Sequence, residues 1–116
     1  MWLVTQVNII ITADHGMTPI LDSIKLRNYN ITDKDIRIVE SGPILQAYFS
    51  NGANEQFVWN KLEQVKLWTL YRKNNIPDRL HFRDNPRIPP ILAIANEGYQ
   101  IVCFTNDLSV RILLQK

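Results

Sequence analysis

The first apolar stretch of the chain is a β-branched run at residues 7–13, which stops at Asp14, His15 and Gly16. A short run that is apolar on both faces is typical of a strand buried within a largely parallel sheet. In open α/β sheets, ligands bind beyond the carboxyl ends of such strands. We therefore expect a strand over 7–13, with Asp14 and His15 at the position where a functional site would form.

Further along the chain, the pattern predicts an antiparallel hairpin. Residues 17–34 are polar and irregular, apart from a short predicted strand at 24–26. Two strand-like runs at 35–39 and 44–49 follow, and the polar connection between them is short enough for a hairpin.

One long helix is predicted after the hairpin. Asn54 can cap it, and apolar residues at helical spacing extend it over 55–73, before Pro77. Trp59, Leu67 and Leu70 fall outside the apolar arc. Either the opposite side of the helix also contacts protein, or part of a larger partner surface is missing.

The last apolar runs predict a second hairpin. Residues 91–95 and 99–104 are strand-like, and the segment between them has turn composition. We expect Gly98 to adopt a positive φ in that turn.

Composition favours one soluble globular domain of 116 residues, since 46% of the residues are apolar and 21% are charged. A net charge of +2 is too small to imply a nucleic-acid or membrane partner. The basic residues Arg72, Lys73, Arg79, Arg83 and Arg87 are expected to be solvated, not to form a nucleic-acid platform. The single Cys103 leaves the redox compartment open, and we expect no export leader and no membrane segment in this chain.

Asp14 and His15 offer a carboxylate oxygen and an imidazole nitrogen, both of which suit Zn²⁺, and Gly16 lets the backbone turn sharply. Two such residues at a strand end more often form a solvated loop cap. Spacing alone therefore favours the loop cap over a metal site.

Three motifs change that balance. The chain has NIII at 8–11 followed by DHGM at 14–17, then IPDRLHF at 76–82 with NPRI at 85–88, then NEGY at 96–99. In this order they resemble motifs of the ectonucleotide pyrophosphatase/phosphodiesterase family, in the alkaline-phosphatase-like superfamily. The resemblance spans about residues 7–101. The tail at 105–114 departs from the family pattern.

The resemblance implies two zinc ions. Asp14 and His15 would be ligands of the zinc that activates a threonine nucleophile, and His81 would be a ligand of the other zinc. The family's threonine, an earlier aspartate and an Asp-x-x-x-His pair precede the DHGM strand, and they are absent here. Residues 1–116 are therefore interpreted as the carboxyl-terminal part of the catalytic domain, without its nucleophile.

The fold implied is α/β: a partial alkaline-phosphatase-like sheet with a short antiparallel hairpin and one long helix. The function implied is that of a zinc phosphodiesterase fragment, inactive alone, from an enzyme acting on nucleotides or lipid headgroups. A non-catalytic binding module of the same fold and a small basic binding domain are the alternatives. The resemblance also implies an extracellular or cell-surface protein, and Asn30 begins a glycosylation tripeptide, Asn30-Ile31-Thr32.

Overall fold

The computed structural model describes residues 6–104, which form six strands, one α-helix and three short 3₁₀ turns. The expectations for the first five residues and for the tail at 105–114 lie outside the described residues. The strands are β1 (Asp22–Lys25), β2 (Ile36–Glu40), β3 (Ile44–Phe49), β4 (Trp68–Arg72), β5 (Ile91–Ala95) and β6 (Tyr99–Val102). The helix is α1 (Glu55–Glu63), and the 3₁₀ turns are Leu26–Tyr29, Lys73–Asn75 and Asp78–Leu80.

Four antiparallel strands form the larger sheet in the order β2-β3-β5-β4. The predicted first hairpin, β2 and β3, is confirmed, with a register shift between Ile38 and Glu40. The inward residues of the sheet, such as Leu45 and Ala93, join Leu62 of α1 in one buried core. The α/β class predicted from the sequence is therefore correct, although its helix is short.

The helix ends at Glu63, so the prediction of a helix to residue 73 is wrong. Asn54 caps it as expected, because its side chain accepts a hydrogen bond from the backbone N–H of Phe57 at 3.0 Å. Beyond the helix, residues 68–72 form β4, whose aromatic and β-branched side chains fit a pleated surface better than a helix. Tertiary pairing with β5 thus overrides the helical spacing.

The switch from helix to strand explains the apolar residues outside the predicted arc. Trp59 is buried on α1, and the guanidinium of Arg72 on β4 lies 4.0 Å from its ring centroid. Leu67 and Leu70 are partly buried against the core. The indole N–H of Trp68 donates to the carbonyl of Leu62 at 3.2 Å, which ties the start of β4 to the end of the helix.

The second predicted hairpin does not form. β5 is already paired on both edges, with β3 and with β4, so it has no edge left for β6. Instead, β6 pairs in parallel with β1, the strand predicted near 24–26. Gly98 has φ +86°, as expected, and its carbonyl accepts a hydrogen bond from the N–H of Leu21 at 2.7 Å.

Residues 7–13, called here the unpaired apolar segment, form no strand, so that prediction is also wrong. Ile10 and Ile11 are 88% and 92% exposed. An apolar strand of this kind is stable only between neighbouring strands and under covering layers, and none of the described strands pairs with it. Among residues 6–104, no helix has the length and apolar character that crossing a membrane requires.

Candidate functional site

Asp14 and His15 lie together on an exposed loop directly after the unpaired apolar segment. The backbone N–H of His15 donates to Asp14 Oδ1 at 3.0 Å, and His15 Nε2 lies 3.4 Å from Asp14 Oδ2. His15 Nδ1 is 2.8 Å from the carbonyl oxygen of Gly16. The side chains of His15 and Asp14 are 68% and 87% exposed, so both ligand atoms are open to solvent.

A hollow of about 500 Å³ adjoins this loop. His15, Gly16 and Met17 line one part of it, and Gly98 and Tyr99 line another. Its volume is within the range of small-molecule sites. The structure therefore brings the first and third sequence motifs, DHGM and NEGY, to one concave surface, a contact that the sequence motifs alone did not predict.

His81 lies on a different loop. It follows the 3₁₀ turn Asp78–Leu80, and its backbone N–H donates to the carbonyl of Asp78 at 2.9 Å. Its φ of 48° is in the left-handed region, which among the described non-glycine residues only Asn30 shares. The side chain is exposed.

The predicted shared site of Asp14, His15 and His81 does not form in residues 6–104. Nowhere in this range do three or more His, Cys, Asp or Glu side chains come together as a group able to hold a metal ion. The DHGM loop adjoins the Gly98 turn on one side of the hollow, whereas His81 follows a separate 3₁₀ turn. The assignment of the three residues as zinc ligands stays a prediction, and their donor chemistry fits it.

The loop of His81 is held by Arg83. Its guanidinium donates to the carbonyl of Ile76 at 3.3 Å, to Asp84 Oδ1 at 3.4 Å and to Asp78 Oδ1. The carboxylates of Asp84 and Asp78 raise the pKa of Arg83 above its usual value. Arg83, one of the five basic residues expected to be solvated, keeps 34% exposure and also cross-links this loop.

Asp35 and Lys61 form a partly buried ion pair that the sequence did not reveal. Lys61 Nζ donates to Asp35 Oδ2 at 2.9 Å, and the backbone N–H of Thr32 donates to the same oxygen at 2.9 Å. Burial raises the pKa of Asp35, but the hydrogen bonds from Lys61 and Thr32 more than offset it and lower the pKa. Twenty-six positions separate the two residues, so no local pattern could have paired them.

Asn30, the glycosylation candidate, lies in the turn that this ion pair stabilises. It is exposed, with φ 56°, and its backbone carbonyl accepts a hydrogen bond from Lys61 Nζ at 2.8 Å. Asn30 and Thr32 are exposed, as a modification site requires, whereas Ile31 between them is buried in the core.

Comparison with known proteins gives the family. Residues 2–106 match the family described as "Type I phosphodiesterase / nucleotide pyrophosphatase". The chain belongs to this family. The match includes Asp14, His15 and His81 and confirms the resemblance found in the sequence motifs.

Relatives among characterised proteins agree with the assignment. Human ectonucleotide pyrophosphatase/phosphodiesterase family member 5 is 31% identical over 101 residues, which are 86% of this chain and 21% of that protein. The bis(5'-adenosyl)-triphosphatase enpp4 of Xenopus laevis is 35% identical over 109 residues, covering 92% of this chain and 23% of the relative. The chain thus spans between a fifth and a quarter of the length of these family members.

Solved structures give the same result for the fold. Murine ectonucleotide pyrophosphatase/phosphodiesterase 5 superposes with a TM-score of 0.65 at 28% identity, over 73% of this chain and 22% of that one. A second structure of the murine protein is an inactive variant in complex with AMP, with the same TM-score. The α/β architecture of residues 6–104 is thus a portion of the fold of this family.

Proposed function

We propose that this chain contributes the carboxyl-terminal part of the catalytic domain of a zinc-dependent hydrolase that cleaves phosphodiester or pyrophosphate bonds. The observation that carries the proposal is the family match over residues 2–106, which includes Asp14, His15 and His81, the residues that the motif resemblance implies as metal ligands. The names of the relatives, a nucleotide pyrophosphatase and a bis(5'-adenosyl)-triphosphatase, favour nucleotides over lipid headgroups as substrates.

The residues have distinct roles in this proposal. Asp14 and His15 would hold one zinc ion, and His81 would contribute to holding a second. Zinc bound there supplies Lewis-acid stabilisation of the oxygens whose charge develops during phosphoryl transfer. Asp14 would bind through a carboxylate oxygen and His15 through an imidazole nitrogen, and the adjoining hollow with Tyr99 offers room for the organic part of a substrate.

The number of candidate donors supports the proposal that this chain is not sufficient by itself. A catalytic zinc site uses about three protein ligands and keeps a position open. Two such sites need more donors than Asp14, His15 and His81 provide, and the family's threonine nucleophile is not in the sequence. We therefore propose that the isolated chain is inactive and that the rest of the catalytic domain supplies the missing groups.

A non-catalytic binding module of the same fold is the alternative. The exposed ligand pair beside a preformed hollow favours it, because binding needs the concave surface and no nucleophile. In this case the chain would bind nucleotides without turning them over.

The test combines the chain with the remainder of a relative. The chain alone and the chain co-expressed with the missing amino-terminal part of the Xenopus relative are assayed on a chromogenic nucleotide phosphodiester with added zinc. A phosphocholine ester is assayed in parallel as a substrate that represents lipid headgroups. Co-elution of the two parts first establishes that they assemble. We expect no activity from the chain alone and zinc-dependent nucleotide hydrolysis from the assembly.

Three variants assign the activity to this chain. His15→Ala and His81→Ala should each abolish turnover by the assembly, whereas Gln64→Ala, at the exposed end of α1, should not. Zinc-dependent hydrolysis by the chain alone would contradict the proposed division of the site. A co-eluting assembly that binds nucleotide without hydrolysis would favour the binding module.

We also propose that the protein is extracellular or at the cell surface and that Asn30 carries an N-glycan, since its relatives are named as ectonucleotide enzymes and Asn30 is exposed. Secreted from a eukaryotic host, the chain should lose mass on treatment with an N-glycosidase. The Asn30→Gln variant should show no such change. Equal masses of the two untreated proteins would refute the modification.

A further inference from the structure

The larger sheet has a free edge at β2. This strand pairs with β3 on one side, and among the described strands none pairs with its other side. The Ser50 N–H donates to the Asp35 carbonyl at 3.0 Å, which makes these two residues a hydrogen-bonded pair. Because such pairs alternate along an antiparallel ladder, the backbone groups of Ile36 and Ile38 point away from β3. The register shift after Ile38 ends the regular part of this edge, which is therefore short.

The last described residues of the chain lie beside this edge. A hollow of about 640 Å³ adjoins the regular part of β2, and its wall includes Ile36, Ile38 and Phe49. Cys103 and Phe104, with which the described residues end, line the same hollow. The residues that follow Phe104 therefore start next to the free edge.

The sequence of those residues has the pattern of a strand. The string LSVRILL at 108–114, called here the tail segment, is apolar at every second position, with Ser109 and Arg111 between the first three. A period of two over seven residues predicts a strand with one apolar face. The family match ends at residue 106, so the family supplies no pairing partner for the tail segment.

The β2 edge and the tail segment complement each other. The Ile36 N–H already donates to the Thr32 carbonyl at 3.1 Å, so the edge offers the Ile36 carbonyl and both backbone groups of Ile38. A strand added here would bond these groups and place its apolar face in the hollow. Edges of this kind otherwise pair with another chain.

The short connection favours the chain's own tail segment over a second copy. Residues 105–107 span at most about 10 Å, which is enough to place residue 108 at the hollow that Phe104 lines. A segment on so short a tether has an effective concentration on the order of millimolar at its site. A second copy of the chain reaches that concentration only in very concentrated solution.

We propose that residues 108–114 dock on the free edge of β2 as an added strand, with their apolar face in the hollow. The docked segment extends the larger sheet and protects its edge from pairing with other chains. The inference concerns a part of the chain outside the family match and does not depend on zinc binding or on hydrolysis.

Hydrogen exchange at two neighbouring amides of the full chain tests the docking. Arg37 pairs with Tyr48 of β3, so its N–H is protected with or without an added strand, whereas the Ile38 N–H is protected only when another strand covers the edge. We expect exchange of Ile38 to be slowed about tenfold or more in the unmodified chain. Val110→Asp, which places a charge on the apolar face of the tail segment, should remove this protection and leave that of Arg37 in place.

A matched variant and a reference amide complete the experiment. Ser109→Asp adds the same charge on the polar face of the tail segment and should leave Ile38 protected. The Lys73 N–H donates to the Pro90 carbonyl at 3.0 Å, beyond the opposite edge of the sheet, and reports overall stability. Its exchange should be the same in both variants. Backbone NOEs from β2 should identify the covering strand as residues 108–114.

Several outcomes would overturn the docking. An unprotected Ile38 amide in the unmodified chain would do so, as would equal exchange of Ile38 in Val110→Asp and Ser109→Asp. Protection that rises with protein concentration would show that a second copy covers the edge. NOEs from β2 to residues 7–13 would assign the edge to the unpaired apolar segment instead. An equal loss of protection at Ile38 and Lys73 in Val110→Asp would indicate general destabilisation and contradict a specific contact.

Discussion

Replacing Lys61 with methionine should weaken the fold strongly, in a manner that depends on pH. Lys61 and Asp35 have side chains only 19% and 11% exposed, and Lys61 is the cation that compensates the Asp35 carboxylate. Methionine keeps most of the aliphatic length but leaves the carboxylate with only the Thr32 bonds. Removing one partner of a buried ion pair typically costs about 3–5 kcal/mol, because the remaining charge is desolvated without compensation. Both side chains here keep some exposure, so we expect the low end of that range, about 3 kcal/mol.

The pH dependence follows from the lowered pKa of Asp35 in the folded protein. A carboxyl group whose pKa falls on folding stabilises the protein above its unfolded pKa, which is about 3.9, and that contribution is lost as the pH falls through the folded pKa. A neutral carboxyl group at Asp35 needs no cation. The cost of Lys61→Met should therefore be complete at neutral pH and small once Asp35 is protonated.

Native-state hydrogen exchange at Ile36 measures this effect. Its backbone N–H donates to the carbonyl of Thr32 at 3.1 Å, within the turn that Asp35 holds. At neutral pH, a cost of about 3 kcal/mol lowers the protection of this amide about 100-fold. Lys66→Met, which removes an exposed lysine, is the matched control and should change protection less than about threefold. A loss below about fivefold at neutral pH, or an equal loss after Asp35 is protonated, would refute the reasoning.

Three other predictions concern different parts of the fold. Gly98→Ala should lower the free energy of unfolding by about 1–3 kcal/mol, because the new Cβ would lie 2.9 Å from Leu21 Cδ1 at φ +86°. Gly52→Ala, at φ +79° with open space around it, is the control that shows the cost of the backbone conformation alone. Equal losses of amide protection in the two variants would contradict the clash with Leu21. Asn54→Ala should destabilise helix α1 by about 1 kcal/mol, because it removes the side chain that accepts from the Phe57 N–H. Hydrogen exchange of the Phe57 amide measures this effect, and an unchanged exchange rate would count against the cap. The unpaired apolar segment should bind a hydrophobic dye, and thermal unfolding should be broad; a sharp transition without dye binding would show that the segment is covered in solution.

Local signals in the sequence predicted several elements well. The hairpin of β2 and β3, the cap at Asn54 and the positive φ of Gly98 each depend on a few neighbouring residues, and each is confirmed. The motifs identified the family for a similar reason, since DHGM and IPDRLHF are continuous strings whose residue types can be read directly.

Predictions that depend on distant partners were wrong. Residues 68–72 have apolar positions compatible with a helix, but an open edge of β5 makes them a strand. Two flanking neighbours leave β5 no edge for β6, which pairs with β1 instead. In both cases the pairing edge is formed by residues remote in sequence, and periodicity contains no information about it.

The candidate site also combines features that local sequence predicts with contacts that depend on distant residues. The sequence by itself determined the family and the residue types of the predicted zinc ligands, because these follow from short motifs. The tertiary structure alone decided that DHGM and NEGY line one hollow, that Asp35 is held by Lys61, and that Arg83 holds the loop of His81. These contacts arise only after folding has brought separate segments together. For the Asp35–Lys61 pair, folding also shields the contact from much of the water, which strengthens its electrostatic attraction.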